Sequence, residues 1–258
     1  MAESLETNRG GRHVLAAVFA IVLPTLVTYV YFNLLADAAP GAQQLAYAIG
    51  KTIQFAFPVV WVWLFFRYRF RRWWTGIAAR PAPVEGKTKS IPNWLWAIGF
   101  GIDVCLVMVL AYWLLSGSDE IAMLTTKAGE KVAGLGIVSV WKFALAGLFY
   151  SVVHSFLEEY YWRWFVYDML KRFVSVPWAN LISSLGFMAH HVLLLSVYFG
   201  WSSPMTWLCS AGVAIGGAYW AWLYEKTGTL RWSWISHAIV DAGIFALGYF
   251  MLRGMFAA

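Results

Sequence analysis

Three apolar stretches of this chain carry side chains that could do acid–base chemistry. The first holds Glu158-Glu159-Tyr160-Tyr161-Trp162-Arg163, the second Phe187 and His191, and the third His237 and Asp241. Carboxylates and imidazoles are the common general acids and bases, and both also ligate zinc. Ionisable groups at membrane depth are costly, so a set spread over three hydrophobic segments marks a functional site. Glu159 and Arg163 stand four apart with the acid first, the favoured orientation for an intrahelical ion pair. Glu158 is turned about 100° from Glu159 around the helix axis. One glutamate can therefore be neutralised by Arg163 while the other faces a cavity. His154, one turn before Glu158 on the same face, is either a partner of that carboxylate or a packed histidine. Phe187 with His191 and His237 with Asp241 share helix faces through their i, i+4 spacing. His190 points elsewhere and reads as a packing or hydrogen-bonding residue.

The elements that must position these groups are set by composition. Of 258 residues, 61% are apolar and 12% charged, against roughly 45–50% and about 25% in soluble domains. This excludes a soluble enzyme and predicts an all-α membrane protein, a polytopic bundle of about seven transmembrane helices. The spans are expected near His13–Ala36, Leu45–Phe66, Pro92–Leu115, Ile137–Tyr167, Pro177–Phe199, Met205–Tyr224 and Arg231–Leu252, each near the 20 residues needed to cross a bilayer. The site then lies between the fourth, fifth and seventh. At about 1.5 Å per residue from the cytoplasmic helix ends, Glu158 and His191 sit roughly 20 Å deep, Asp241 about 15 Å and His237 about 9 Å. Helix tilt absorbs such differences, so one shared site is geometrically feasible.

Charge gives the expected orientation. Thirteen of the nineteen Lys and Arg fall on the side of the amino terminus, five on the other and one, Arg163, within a span. The positive-inside rule places the amino terminus in the cytoplasm, and the expected location is a prokaryotic cell membrane. Arg9, Arg12 and Ala36-Asp37-Ala38 resemble the flanks of a signal peptide, but the apolar region between them exceeds the usual 7–15 residues; it reads as an uncleaved first span. The net charge of +6 therefore follows topology and predicts no nucleic-acid partner. The segment Arg67–Ser90, with basic and aromatic residues interleaved, fits a stretch lying on anionic headgroups. The mixed-charge loop Ser116–Gly136 carries no assigned role. Gly212 and Gly216, at GxxxG spacing, are expected to permit a close helix contact, and Asp103 and Lys142 read as ordinary buried polar or snorkelling groups. Cys105 and Cys209 lie in apolar spans and predict neither a disulfide nor a thiolate metal site.

Glu-Glu-x-x-x-Arg, Phe-x-x-x-His and His-x-x-x-Asn/Asp, in that order on successive hydrophobic segments, resemble the CPBP family. That family comprises type II CAAX prenyl endopeptidases, Abi and bacteriocin-processing proteins and related glutamate-type intramembrane proteases. The resemblance divides the chain into an amino-terminal transmembrane region without family signature, 1–136, and a CAAX-protease-like catalytic core, 137–258. It implies an intramembrane endopeptidase acting on a membrane-associated protein or peptide within the lipid bilayer. In that reading Glu158 activates water with help from His191, while His237 and Asp241 bind the oxyanion. Glu159, Arg163, Phe187 and His154 support them.

Asp241 departs from the commoner Asn. An ionised Asp cannot donate a hydrogen bond, so Asp241 must be protonated, orient and charge His237, or ligate a metal. Glu158, His191, His237 and Asp241 are acceptable zinc ligands by type, although the chain has no His-Glu-x-x-His helix. The favoured expectation is catalysis without a cofactor, with zinc as the other option. The competing function class is a non-enzymatic membrane protein, either a transporter or proton relay using the buried Glu, His and Asp residues or an immunity scaffold.

Overall fold

A computed structural model describes residues 2–65 and 91–256, with residues 2–10 and 40 described by their backbone alone. The basic segment Arg67–Ser90 falls outside the described residues. All of the described regular structure is helical. The chain forms α1 (Ala2–Tyr29, continued by a π-helical turn Val30–Leu34), α2 (Pro40–Phe65), α3 (Asn93–Leu115) and α4 (Asp119–Gly134). Next comes the long helix α5, which occupies Val140–Leu170. After it come α6 (Val176–Phe199), α7 (Pro204–Thr227) and α8 (Leu230–Leu252).

Six of these helices are long and apolar enough to cross a membrane: α1 with its π turn, α2, α3, α5, α6 and α8. The protein is thus a multi-pass helical bundle, and its outward faces carry large apolar side chains such as Leu106, Val107 and Trp113. The expected span Met205–Tyr224 does exist as a helix, α7, but it is not among the six. Its Gly, Ser, Thr and Tyr residues lower its hydropathy, and Glu225 and Lys226 sit in its last turn. It is nevertheless packed antiparallel to α6, with Asn180 donating to the Ala218 carbonyl at 3.1 Å and Trp220 donating to Ser236 of α8 at 3.1 Å.

Local signals account for the helix ends. Ser118 and Ser139 cap α4 and α5 by accepting from the backbone N–H of Ile121 and Lys142. Pro177 and Pro204 occupy the first turns of α6 and α7, where a missing N–H costs nothing. Gly228, at φ 67°, ends α7 in the left-handed conformation that glycine adopts without strain.

The region expected to be a charged loop without a role contains α4. Asp119 and Glu120 in its first turn favour the positive end of the helix dipole, and a 16-residue helix of mixed polarity escapes a search for long apolar runs. The expected close contact at Gly212 and Gly216 is also displaced. A Cβ on Gly212 would meet nothing within 4 Å, whereas one on Gly217 would lie 3.2 Å from Phe187 Cδ1. α3 docks along α8, where a Cβ on Gly101 would strike Ile239 at 2.9 Å and Cys105 Sγ lies 3.5 Å from the Ile239 carbonyl. Both cysteines are free. Asp103 is exposed on α3, and Lys142 donates to the Gly136 carbonyl at 3.1 Å, so neither belongs to the buried polar set.

Candidate active site

The middle of α5 is where the helix departs from regular geometry. Phe149–His154 and Tyr160–Tyr167 are π-helical and flank a single α-helical stretch, Ser155–Glu159. π-turns are rare and frequently sit at functional sites. All eight residues from Tyr160 to Tyr167 are buried, and α1 is fastened to them where Tyr161 donates to the Ala20 carbonyl at 2.7 Å. The two glutamates therefore project from a helix wall that is packed on all sides.

Glu159 is 0% exposed and holds two other groups. Its Oε2 lies 3.3 Å from Arg163 Nε, an ion pair whose alignment falls short of a hydrogen bond. Its Oε1 accepts from His237 Nδ1 at 2.9 Å. The Arg163 guanidinium also donates to the Gly217 carbonyl at 3.2 Å and lies over the Phe187 and Trp220 rings, 4.8 and 5.4 Å from their centroids. The expected ion pair is thus present. Glu159 also reaches the histidine of the third motif, which helix spacing alone did not reveal.

Glu158, 3% exposed, is surrounded by imidazoles. Its Oε1 lies 3.9 Å from His154 Nε2 and 3.6 Å from His190 Nε2, and its Oε2 lies 3.8 Å from His237 Nε2. These separations exceed direct hydrogen bonds and hold the carboxylate in a ring of nitrogens. His154 is a neighbour of Glu158 and also packs edge-on against Phe55 at 6.2 Å, so both readings of it apply. His191 Nδ1 donates to the Phe187 carbonyl at 2.8 Å. Because a carbonyl only accepts, the proton sits on Nδ1 and the neutral ring keeps a lone pair at Nε2. His237 stacks on Trp220 at 4.0 Å and places Nε2 3.6 Å from Asp241. The four expected catalytic positions, Glu158, His191, His237 and Asp241, are brought together.

The expectation for His190 needs correction. It stacks on Trp162, with ring centroids 5.8 Å apart, but it also faces Glu158, and both its ring nitrogens are buried without a hydrogen-bond partner. Consecutive helix positions diverge by about 100°, so a carboxylate lying between the two directions is reached by both imidazoles. The sequence offered one signal for this, the adjacency of His190 to His191.

One ligand atom each from Glu158, His190 and His191 falls within 4.8 Å of the others. This set differs from the expected ligands in replacing His237 and Asp241 with His190. Two imidazoles and a carboxylate suit a catalytic zinc ion by donor type, and the two unpartnered nitrogens of His190 and the free Nε2 of His191 fit that use.

No curated protein and no solved structure matches the chain. Residues 140–243, which include every residue of the cluster, match the family model described as Type II CAAX prenyl endopeptidase Rce1-like. That match makes this region of the chain, with its buried Glu and His cluster, similar to the Rce1-like CAAX proteases.

Proposed function

We propose that the protein is an intramembrane endopeptidase in which Glu158 and His191 activate water and His237 and Asp241 stabilise the oxyanion. The observation that carries this reading is the buried Glu158 carboxylate ringed by imidazole nitrogens inside the region that matches the family. Glu158 takes a proton from water, and the resulting hydroxide attacks the scissile carbonyl carbon. The charge that develops on oxygen needs donors aimed at it. His237 donates its Nδ1–H to Glu159, so it can donate through Nε2 only when doubly protonated; Glu159 supplies the counter-charge beside it, and Asp241, in its protonated form, is the second donor. The proton held by Glu158 then passes to the leaving amine as the C–N bond breaks.

A metal-assisted version is the second reading, favoured by the grouping of His190 with Glu158 and His191. Those three residues would hold the ion, which would supply Lewis-acid activation of water. The substrate class is a membrane-associated protein or peptide. The concentration of Lys and Arg on one side supports a cytoplasmic amino terminus. A proton relay would use the same buried groups without cleaving anything. Incubation of the purified protein with native-host membrane extract, followed by mass-spectrometric mapping of new peptide termini, separates the two. The endopeptidase reading predicts termini that are absent with Glu158→Gln or His191→Ala, each a loss of about 10²–10⁴-fold.

A further inference from the structure

α7 is not among the six apolar spans, yet one of its faces reaches the site. Gly217, Trp220 and Tyr224 share that face through their i, i+3 and i+7 spacing. Two contacts with α5 pin it one turn either side of Trp220: the Gly217 carbonyl accepts from Arg163 at 3.2 Å, and Tyr224 donates to Asp168 at 3.0 Å. Trp220 itself is buried. Its indole N–H donates to Ser236 Oγ of α8 at 3.1 Å, and the Phe100 and Phe187 rings meet it edge-on, with centroids 6.3 and 6.2 Å away. The Arg163 guanidinium lies 5.4 Å from its centroid. The indole is thus held by residues of α3, α5, α6 and α8.

His237 lies flat on this ring, with 4.0 Å between centroids and 13° between planes. Its other fixed point is the hydrogen bond from Nδ1 to Glu159 at 2.9 Å. One hydrogen bond leaves an imidazole free to swing about it. A flat contact across the ring face removes that motion, and stacked aromatic pairs contribute beyond the area they bury. The two contacts together fix the direction of Nε2, which lies 3.8 Å from Glu158 Oε2 and 3.6 Å from Asp241 Oδ1. A donor stabilises a developing oxyanion only when it is aimed before the reaction begins, and a misplacement of about 1 Å costs about 10²-fold in rate.

We propose that Trp220 is a positioning residue, which holds the His237 ring in the plane that points Nε2 at the reacting carbonyl and so sets the turnover rate without touching the substrate. This rests on the endopeptidase reading above. Ser236 belongs to the same device. It accepts the indole N–H and precedes His237 on α8, so a shift of α8 against α7 carries the platform and the imidazole together.

The test reads ring orientation and turnover in the same purified full chain in detergent. The chain has five histidines, so protein labelled with ¹³C at the imidazole Cε1 gives few proton signals, and that of His237 is identified by its loss in His237→Gln. In the wild type the His237 signal is expected upfield of an ordinary imidazole proton, shifted by the indole face against it. Trp220→Leu is expected to abolish the shift, and Trp220→Phe to keep part of it. Turnover is measured on a synthetic peptide spanning a terminus mapped in the membrane extract. Trp220→Leu is expected to lower kcat by about 10²-fold with KM unchanged, the pattern of an interaction made only in the transition state, and Trp220→Phe to restore most of the loss. In a His237→Gln background Trp220→Leu should add no further loss, because a residue that acts through His237 then has nothing to orient. Ser236→Ala frees the indole edge without emptying the core; it should move the same signal and kcat in the same direction by less, and it decides the matter if Trp220→Leu fails to fold. A His237 signal that neither substitution moves, a rise in KM at unchanged kcat, or the same kcat loss in the His237→Gln background would overturn the proposal. Absence of cleavage by the wild type would reject the endopeptidase reading, and the ring signals alone would then decide whether Trp220 orients His237.

Discussion

Glu159→Gln is the most informative structural perturbation, because Glu159 holds both Arg163 and His237. The pair is sealed, with Glu159 0% and Arg163 2% exposed, so the substitution leaves a guanidinium in the interior without its counter-ion. Removing one partner of a buried ion pair costs about 3–5 kcal/mol. At roughly 2–4 °C per kcal/mol for a chain of this size, the midpoint of thermal unfolding should fall on the order of 10 °C. The Gly217 carbonyl and the two rings beneath Arg163 soften the loss without cancelling it. The assay is thermal unfolding in detergent followed by circular dichroism. Arg163→Met should cost a similar amount, and the double variant Glu159→Gln/Arg163→Met should be less damaging than the sum of the two. Below the melting transition, Glu159→Gln should retain more cleavage than Glu159→Leu, because the amide oxygen still accepts from His237 Nδ1. A shift below about 2 °C for both single variants, or strict additivity in the double, would refute a buried pair that sustains the helix wall.

Two further substitutions separate the readings of the remaining site residues. Asp241→Asn preserves shape and supplies an amide donor 3.6 Å from His237; in the metal-free reading cleavage is kept or raised and survives a strong chelator, as a peptide-cleavage assay with and without chelator will show. His190→Phe keeps the stack on Trp162 and removes both nitrogens, so the unfolding midpoint should hold. Elemental analysis then decides the role: in the metal-assisted reading zinc present in the wild type falls with His190→Phe, and in the metal-free reading neither protein carries stoichiometric zinc.

The site was legible in the sequence wherever chemistry and helix spacing coincide. The pairing of Glu159 with Arg163, and of His237 with Asp241, needs only the i, i+4 geometry of one helix. Contacts between helices were not legible, because they depend on rotation about each axis and on the π-turns of α5. Thus the hydrogen bond from His237 to Glu159 joins residues 78 apart, and His190, one residue from an expected catalytic histidine, faces the same carboxylate. The spans announced themselves by apolar length, with α7 the exception because small and polar side chains dilute it. α4 was hidden for the same reason, since a short helix of mixed polarity resembles a loop when only long apolar runs are sought.

The central claim, that Glu158 drives hydrolysis of a peptide bond, is tested most directly by cleavage in H₂¹⁸O with wild-type and Glu158→Gln protein purified side by side. The substrate is whichever peptide the membrane-extract mapping identifies, and the products are weighed by mass spectrometry. The account predicts one ¹⁸O atom in each newly formed carboxyl group with the wild type, and product formation reduced by about 10²–10⁴-fold in a Glu158→Gln protein that melts near the wild-type temperature. Labelled product formed at a near-normal rate by Glu158→Gln would contradict it.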